Sequence, residues 1–158
     1  MFAQSADLAP TGISLARITD GLSNTLLLGE RDQRCGAGAW VGVRSSTSHG
    51  LGSWYWVAGR VSRKLNDPLP IDGTPQNDTC FEGFSSLHSG GSLFAMADGS
   101  VQFLNENIDF NNGGLTESQL KNSYDQIFNV GNPPFNTSAL GTYQRLGTRD
   151  DGQPTALP

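Results

Sequence analysis

Apolar positions in this chain fall into short runs separated by turn-forming residues. Residues 92–97 and 100–104 are two such runs, and Asp98-Gly99 stands between them. An Asp-Gly pair between two apolar runs predicts an antiparallel hairpin closed by a type I′ turn, because both residues tolerate positive φ. Upstream, residues 25–30 form a compact apolar run of strand length, predicted to be buried. Residues 39–44 alternate Trp40 and Gly42 with Val41 and Val43, and residues 54–63 are aromatic and β-branched, so both segments read as strands. Residues 45–53 are rich in Ser and Gly, and residues 67–78 carry three prolines and a glycine, so both are predicted loops.

One segment changes period. Thr116-Glu117-Ser118-Gln119 is a capping box, and Leu115 can pack on Leu120 as a hydrophobic staple. Leu120, Tyr124, Ile127 and Phe128 then share one face at helical spacing. Gly131 and Pro133-Pro134 end the pattern, giving a predicted helix over residues 116–129. Residues 1–12 show no periodicity and read as a loose lead-in, and residues 150–158 as an irregular tail. Asp20 is a suitable N-cap for a short turn ending near Thr25. The predicted fold class is α+β, a loop-rich single domain over residues 1–158 with an antiparallel sheet, a DG hairpin and one amphipathic helix.

Composition sharpens this picture. At 158 residues one domain is expected, with enough chain for a sizeable core. Hydrophobic content is 36% and charged content 16%, both low, the balance being Gly, Ser, Asn and Asp. That mix fits many tight turns. The net charge of −5 and the lack of any basic run disfavour nucleic acid and anionic membrane as partners. No apolar run approaches the length of a membrane span or an export signal, so no membrane contact is expected of this chain.

Several polar residues invite chemistry. His88 is suited to bind a metal, act as a general base, or bridge a loop to a strand. Asp98 lies at the far end of the following strand, roughly 20 Å away at ~3.3 Å per residue, so the two cannot share one ordinary metal site. Asp98 has an evident role as a turn former. Asp20 and Asn24 read as a cap and a turn amide, or as oxygen ligands of a hard cation. Glu30 ends an apolar run and is expected to face solvent, to pair with Arg31 or Arg145, or to meet a cation. Asp109, Asn111 and Gly113 echo the start of a D-x-N-x-G calcium loop, but no Glu stands at the closing position. Ser85, Ser86 and Ser89 flank His88 without triad spacing. His49 has no recognisable partner. G-x-S-x-G, P-loop and H-E-x-x-H motifs are absent from the sequence.

The H-x9-DG spacing from His88 to Asp98-Gly99 resembles the prepilin-type processing-associated H-x9-DG family of bacteria, a pseudopilin-like family also described as DUF1559. Ile18-Thr19-Asp20-Gly21-Leu22-Ser23-Asn24-Thr25, running on to Gly29-Glu30, resembles the family's first block. Thr142-Tyr143-Gln144-Arg145-Leu146-Gly147-Thr148-Arg149, followed by Asp151-Gly152-Gln153, resembles its C-terminal block. The resemblance implies a pseudopilin head without the N-terminal prepilin helix of full-length members, an extracytoplasmic location, and assembly with other pseudopilin-like subunits. It ranks Asp20, Asn24 and Glu30 above the other acids. A type II secretion-like setting implies a divalent cation, calcium by preference, for which Asp20, Asn24, Glu30, His88, Asp98, Asp109 and Asn111 are the candidate ligands. It also favours a Cys35–Cys80 disulfide over two reduced thiols.

The expected function is therefore a structural, surface-presenting domain. The alternative is a small metal-dependent hydrolase of phosphoesters, using zinc or manganese with His88 as its catalytic group. A third reading is a carbohydrate-binding module using Trp40, Trp54 and Trp56, residues that also suit a core.

Overall fold

The computed structural model describes residues 13–35, 59–67, 83–114 and 139–153. Three strands, β1 (Leu26–Gly29), β2 (Gly91–Met96) and β3 (Val101–Asn105), form an antiparallel sheet in the order β1-β2-β3. One short helix, α1 (Thr142–Leu146), follows near the C-terminus. This small, loop-rich antiparallel sheet agrees with the expected α+β class. The predicted helix at residues 116–129 and the predicted strand at residues 39–44 lie outside the described residues.

Alternation along β2 explains the layering. Ser92, Phe94 and Met96 are buried, whereas Leu93 is exposed and Ala95 half-buried. Successive side chains point to opposite faces of a strand, so β2 has one inner face. Leu26 of β1 and Leu104 of β3 join Phe94 and Met96 there. Leu65, Phe84, Tyr143 and Leu146 join the core from outside the sheet. Phe94 sits edge-on between two rings, 5.1 Å from Phe84 and 6.3 Å from Tyr143, both T-shaped arrangements. A Cβ on Gly29 would come within 2.6 Å of both Phe84 and Phe94, so only glycine lets β1 approach these rings.

Four sequence expectations change. The run at residues 25–30 is an edge strand rather than a buried one: Leu26 is buried but Leu27 and Leu28 are exposed, and a bulge lies between Leu26 and Leu28. Residues 59–63, the described part of the strand expected over residues 54–63, form a turn. Asn66, at φ +53, stabilises that region; its amide accepts from Ser86 N–H and donates to Gly91 O and Glu106 Oε2. The hairpin forms as expected, but its turn is not type I′. Met96 N–H donates to Ser100 O at 2.8 Å and Gly99 N–H to Met96 O at 3.0 Å, enclosing the three residues 97–99. Gly99 has φ +88, whereas Asp98 does not have positive φ. One extra residue, Ala97, lets the chain reverse with a single left-handed position, the pattern of a three-residue loop with a glycine bulge. The fourth change is α1 itself, which was not anticipated because five residues are too few to show a helical period.

Gly99→Val should destabilise the fold by on the order of 1 kcal/mol or more, since a β-branched residue resists positive φ. Urea unfolding of the variant checks this, and an unchanged midpoint would contradict the assigned turn.

Candidate functional site

Asp20 is 5% exposed, and a buried carboxylate requires compensation. It does not cap the 3-10 turn Leu22–Asn24, whose N-cap is Gly21. Its oxygens instead accept from Gly152 N–H at 3.0 Å and Asp151 N–H at 2.9 Å, with Thr148 Oγ1 at 3.5 Å. Its own N–H donates to Arg149 O. Asn24 closes the same turn by donating from Nδ2 to Asp20 O, and Thr25 Oγ1 donates to Gly21 O. The Asp98 turn is tied to this segment in turn: Asp98 N–H donates to Leu22 O and Ala97 N–H to Thr25 O. The first motif block thus binds both other blocks through specific hydrogen bonds.

Glu30 and His88 are brought into direct contact through their side chains. Glu30 Oε1 lies 3.3 Å from His88 Nε2. Glu30 Oε2 accepts from Leu93 N–H at 2.8 Å and Ser92 Oγ at 3.1 Å. Its ionic partner is therefore His88; of the alternatives read from the sequence, the carboxylate is partly open to solvent and is not paired with Arg31 or Arg145. Burial raises the Glu30 carboxyl, but the Leu93 N–H, the Ser92 hydroxyl and the imidazole outweigh it, leaving the group below its usual range. The pair stands in a groove of about 620 Å³ whose walls include Arg31, Asp32, Ser85 and Ser86. The serine hydroxyls are engaged elsewhere: Ser86 Oγ donates to Gly91 O and accepts from His88 N–H, and Ser85 Oγ accepts from Asp32 N–H. They do not form a Ser-His pair.

Asp98 sits at the opposite end of β2 from His88. Its Oδ1 accepts from Ser100 Oγ at 2.7 Å and Ser100 N–H at 2.8 Å, which lowers its pKa. Asp109 and Asn111 hold the start of α1. Gly141, the N-cap, offers no side chain, and Asp109 Oδ2 accepts the Thr142 N–H at 3.0 Å in its place. Asn111 O accepts from Gly141 N–H, and Asn111 Oδ1 closes its own turn onto Gly113 N–H. Gln144, not singled out in the sequence, bridges this junction by accepting from Asn111 N–H and donating to Val61 O. Among the described residues no three His, Cys, Asp or Glu side chains converge as a metal site. The seven candidate ligands do not gather in one place: Asn24 lies on the Asp20 turn, His88 against Glu30, Asp109 and Asn111 at the start of α1, and Asp98 at the hairpin turn.

Residues 1–111 match the family described as "Protein of unknown function (DUF1559)". The chain belongs to this family. No curated protein matches it, and no solved structure does. The DUF1559 match covers Asp20, Glu30, His88 and Asp98, while the C-terminal partners of Asp20 lie beyond it. Cys35 of this DUF1559 chain is fully buried and disulfide-bonded. Cys80, His49, Trp40, Trp54 and Trp56 lie outside the described residues. No helix among the described residues is long and apolar enough to cross a membrane.

Two outcomes are expected. Asp20→Ala, which leaves two backbone donors without their acceptor, should cost about 2–3 kcal/mol in chemical unfolding, and Asp20→Asn less, because one oxygen remains. Equal stability of Asp20→Ala and the parent chain would contradict the clamp. Glu30 binds its proton less readily in the folded chain than in the unfolded one, so its contribution is complete above pH 4.5 and is lost as pH falls through the lowered value. Thermal melts below pH 4.5 should therefore fall less steeply for Glu30→Gln than for the parent, and parallel curves would contradict the assignment.

Proposed function

We propose that this chain is a non-catalytic head domain of the pseudopilin-like type, which works outside the cytoplasm by presenting surface to other subunits. The supporting observation is how the motif residues are used. Asp20 holds the C-terminal block, Asp98 orders its turn, Asp109 caps α1, and Glu30 joins β1 to β2 and His88. Carboxylates whose oxygens accept from backbone N–H groups act as internal fasteners rather than as groups waiting for a substrate. The outward side of the sheet, with Leu28, Leu93, Val101 and Phe103 exposed, is the surface such a domain would offer.

The Glu30–His88 pair beside an open groove favours a second reading, a metal-dependent hydrolase of phosphoesters. A carboxylate that orients an imidazole is a common device at metal sites. Stabilisation by a divalent cation, calcium by the family resemblance, is examined by the same experiment. Melting temperature and phosphoester turnover are measured on one preparation, with and without chelator. The proposal expects no turnover above the uncatalysed rate in either case. Turnover that disappears on chelation and returns with zinc or manganese would overturn it. A fall in melting temperature without turnover would place a structural cation within the head domain.

A further inference from the structure

We propose that β3 is a docking edge for β3 of a second copy of this chain, so that two three-stranded sheets join into one. The direction of the backbone groups carries the inference. Met96 N–H donates to Ser100 O, and Glu106 N–H donates to Gly90 O. In an antiparallel ladder the bonded positions alternate, so Gln102 and Leu104 face β2 while Val101 and Phe103 turn their N–H and C=O groups outward. Among the described residues those outward groups have no partner strand, because β3 is the last strand of the sheet. Val101 and Phe103 are 63% and 49% exposed.

Edge strands are normally guarded by charge, proline or a bulge. β1, the other edge, carries the bulge between Leu26 and Leu28. β3 has none of these guards: Val-Gln-Phe-Leu-Asn is uncharged, contains no proline, and pairs with β2 in unbroken register.

The strand is also complementary to itself. A two-fold axis through Phe103 sets Phe103 opposite its own copy and Val101 opposite Asn105, so every outward N–H meets an outward C=O. The phenyl rings then adjoin across the axis, on the face that already displays Leu93 beside Phe103 and Val101 beside Ala95. The flanking carboxylates do not oppose one another, since this register sets Asp98 against Ile108 and Glu106 against Ser100. The net charge of −5 on each copy opposes association at long range, so added salt should strengthen the pairing.

This inference deepens the assembly reading and is tested apart from it. Sedimentation of the whole chain from micromolar to millimolar concentration should show a monomer–dimer equilibrium that tightens with salt. Phe103→Pro removes an outward N–H that β2 does not use, and Phe103→Lys puts a guarding charge on the edge; each should weaken dimerisation by roughly tenfold or more. Leu28→Lys, on the bulged edge, should not. Phe103→Cys should cross-link to its own copy under mild oxidation, because directly opposed bonded positions are about 5.5 Å apart. In the unmodified chain, the Val101 and Phe103 amides should gain hydrogen-exchange protection with concentration, a readout that does not depend on any variant folding. A monomer throughout the range, a dimer indifferent to the Phe103 substitutions, or a β3 edge that takes up only a foreign extended peptide would each overturn the proposal. A monomer without metal-dependent turnover would remove the edge pairing and leave the assembly reading standing. Metal-dependent turnover would remove the assembly reading whatever the oligomeric state.

Discussion

Burying a carboxylate among apolar residues is unfavourable unless its charge is met by donors, and Asp20 meets that requirement with the N–H groups of Asp151 and Gly152. The consequence reaches across the chain. Thr148 and Arg149 are drawn to the same turn, which places Tyr143 and Leu146 of α1 against Phe94 and the rest of the core. The turn that carries Asp20 also receives the Asp98 hairpin through Leu22 O and Thr25 O. One buried charge thereby couples segments more than a hundred residues apart, in a domain whose described residues hold little regular structure. Neither a three-stranded sheet nor a five-residue helix would hold alone.

Tyr143 shows the other side of the same constraint. Burial pushes its phenol above the usual range, against the field of the Arg31 guanidinium, and its Oη has no hydrogen-bond partner. Arg31 is pulled down to about 10 by burial, with Tyr143 opposing the fall, and its Nε donates to Gly83 O. The ring of Tyr143 is retained for its packing on Phe94, and the hydroxyl is carried at an energetic cost. On the outer side of the sheet Leu28, Leu93, Val101 and Phe103 stay exposed.

Much of the sheet was legible in the sequence because period-two alternation and an Asp-Gly pair are local signals. The β2–β3 hairpin appears within a residue of its expected ends, and strand length alone set His88 and Asp98 at opposite ends of β2. What could not be read was the pairing of distant polar groups. Nothing near Glu30 points to His88, and nothing near Asp109 shows that it caps a helix beginning at Thr142. Asp20 was misread because a local cap and a remote clamp ask for the same side chain. A D-x-N-x-G pattern likewise marks a run of tight Asn turns as readily as a cation loop, and here Asn111 and Asn112 each close a turn onto a glycine N–H. Asn66 left one local sign, since asparagine is the residue most tolerant of left-handed backbone after glycine.

The Asp20 carboxylate makes residues 148–152 part of the folded core. Native-state hydrogen exchange on the unmodified chain tests it most directly. The amides of Asp151 and Gly152 belong to no helix or strand, and an ordinary C-terminal segment would exchange them freely. Both should exchange on the timescale of Phe94 and Met96 in β2, through the same global opening. Exchange of the two amides at the rate of an unstructured peptide, with β2 still protected, would contradict it.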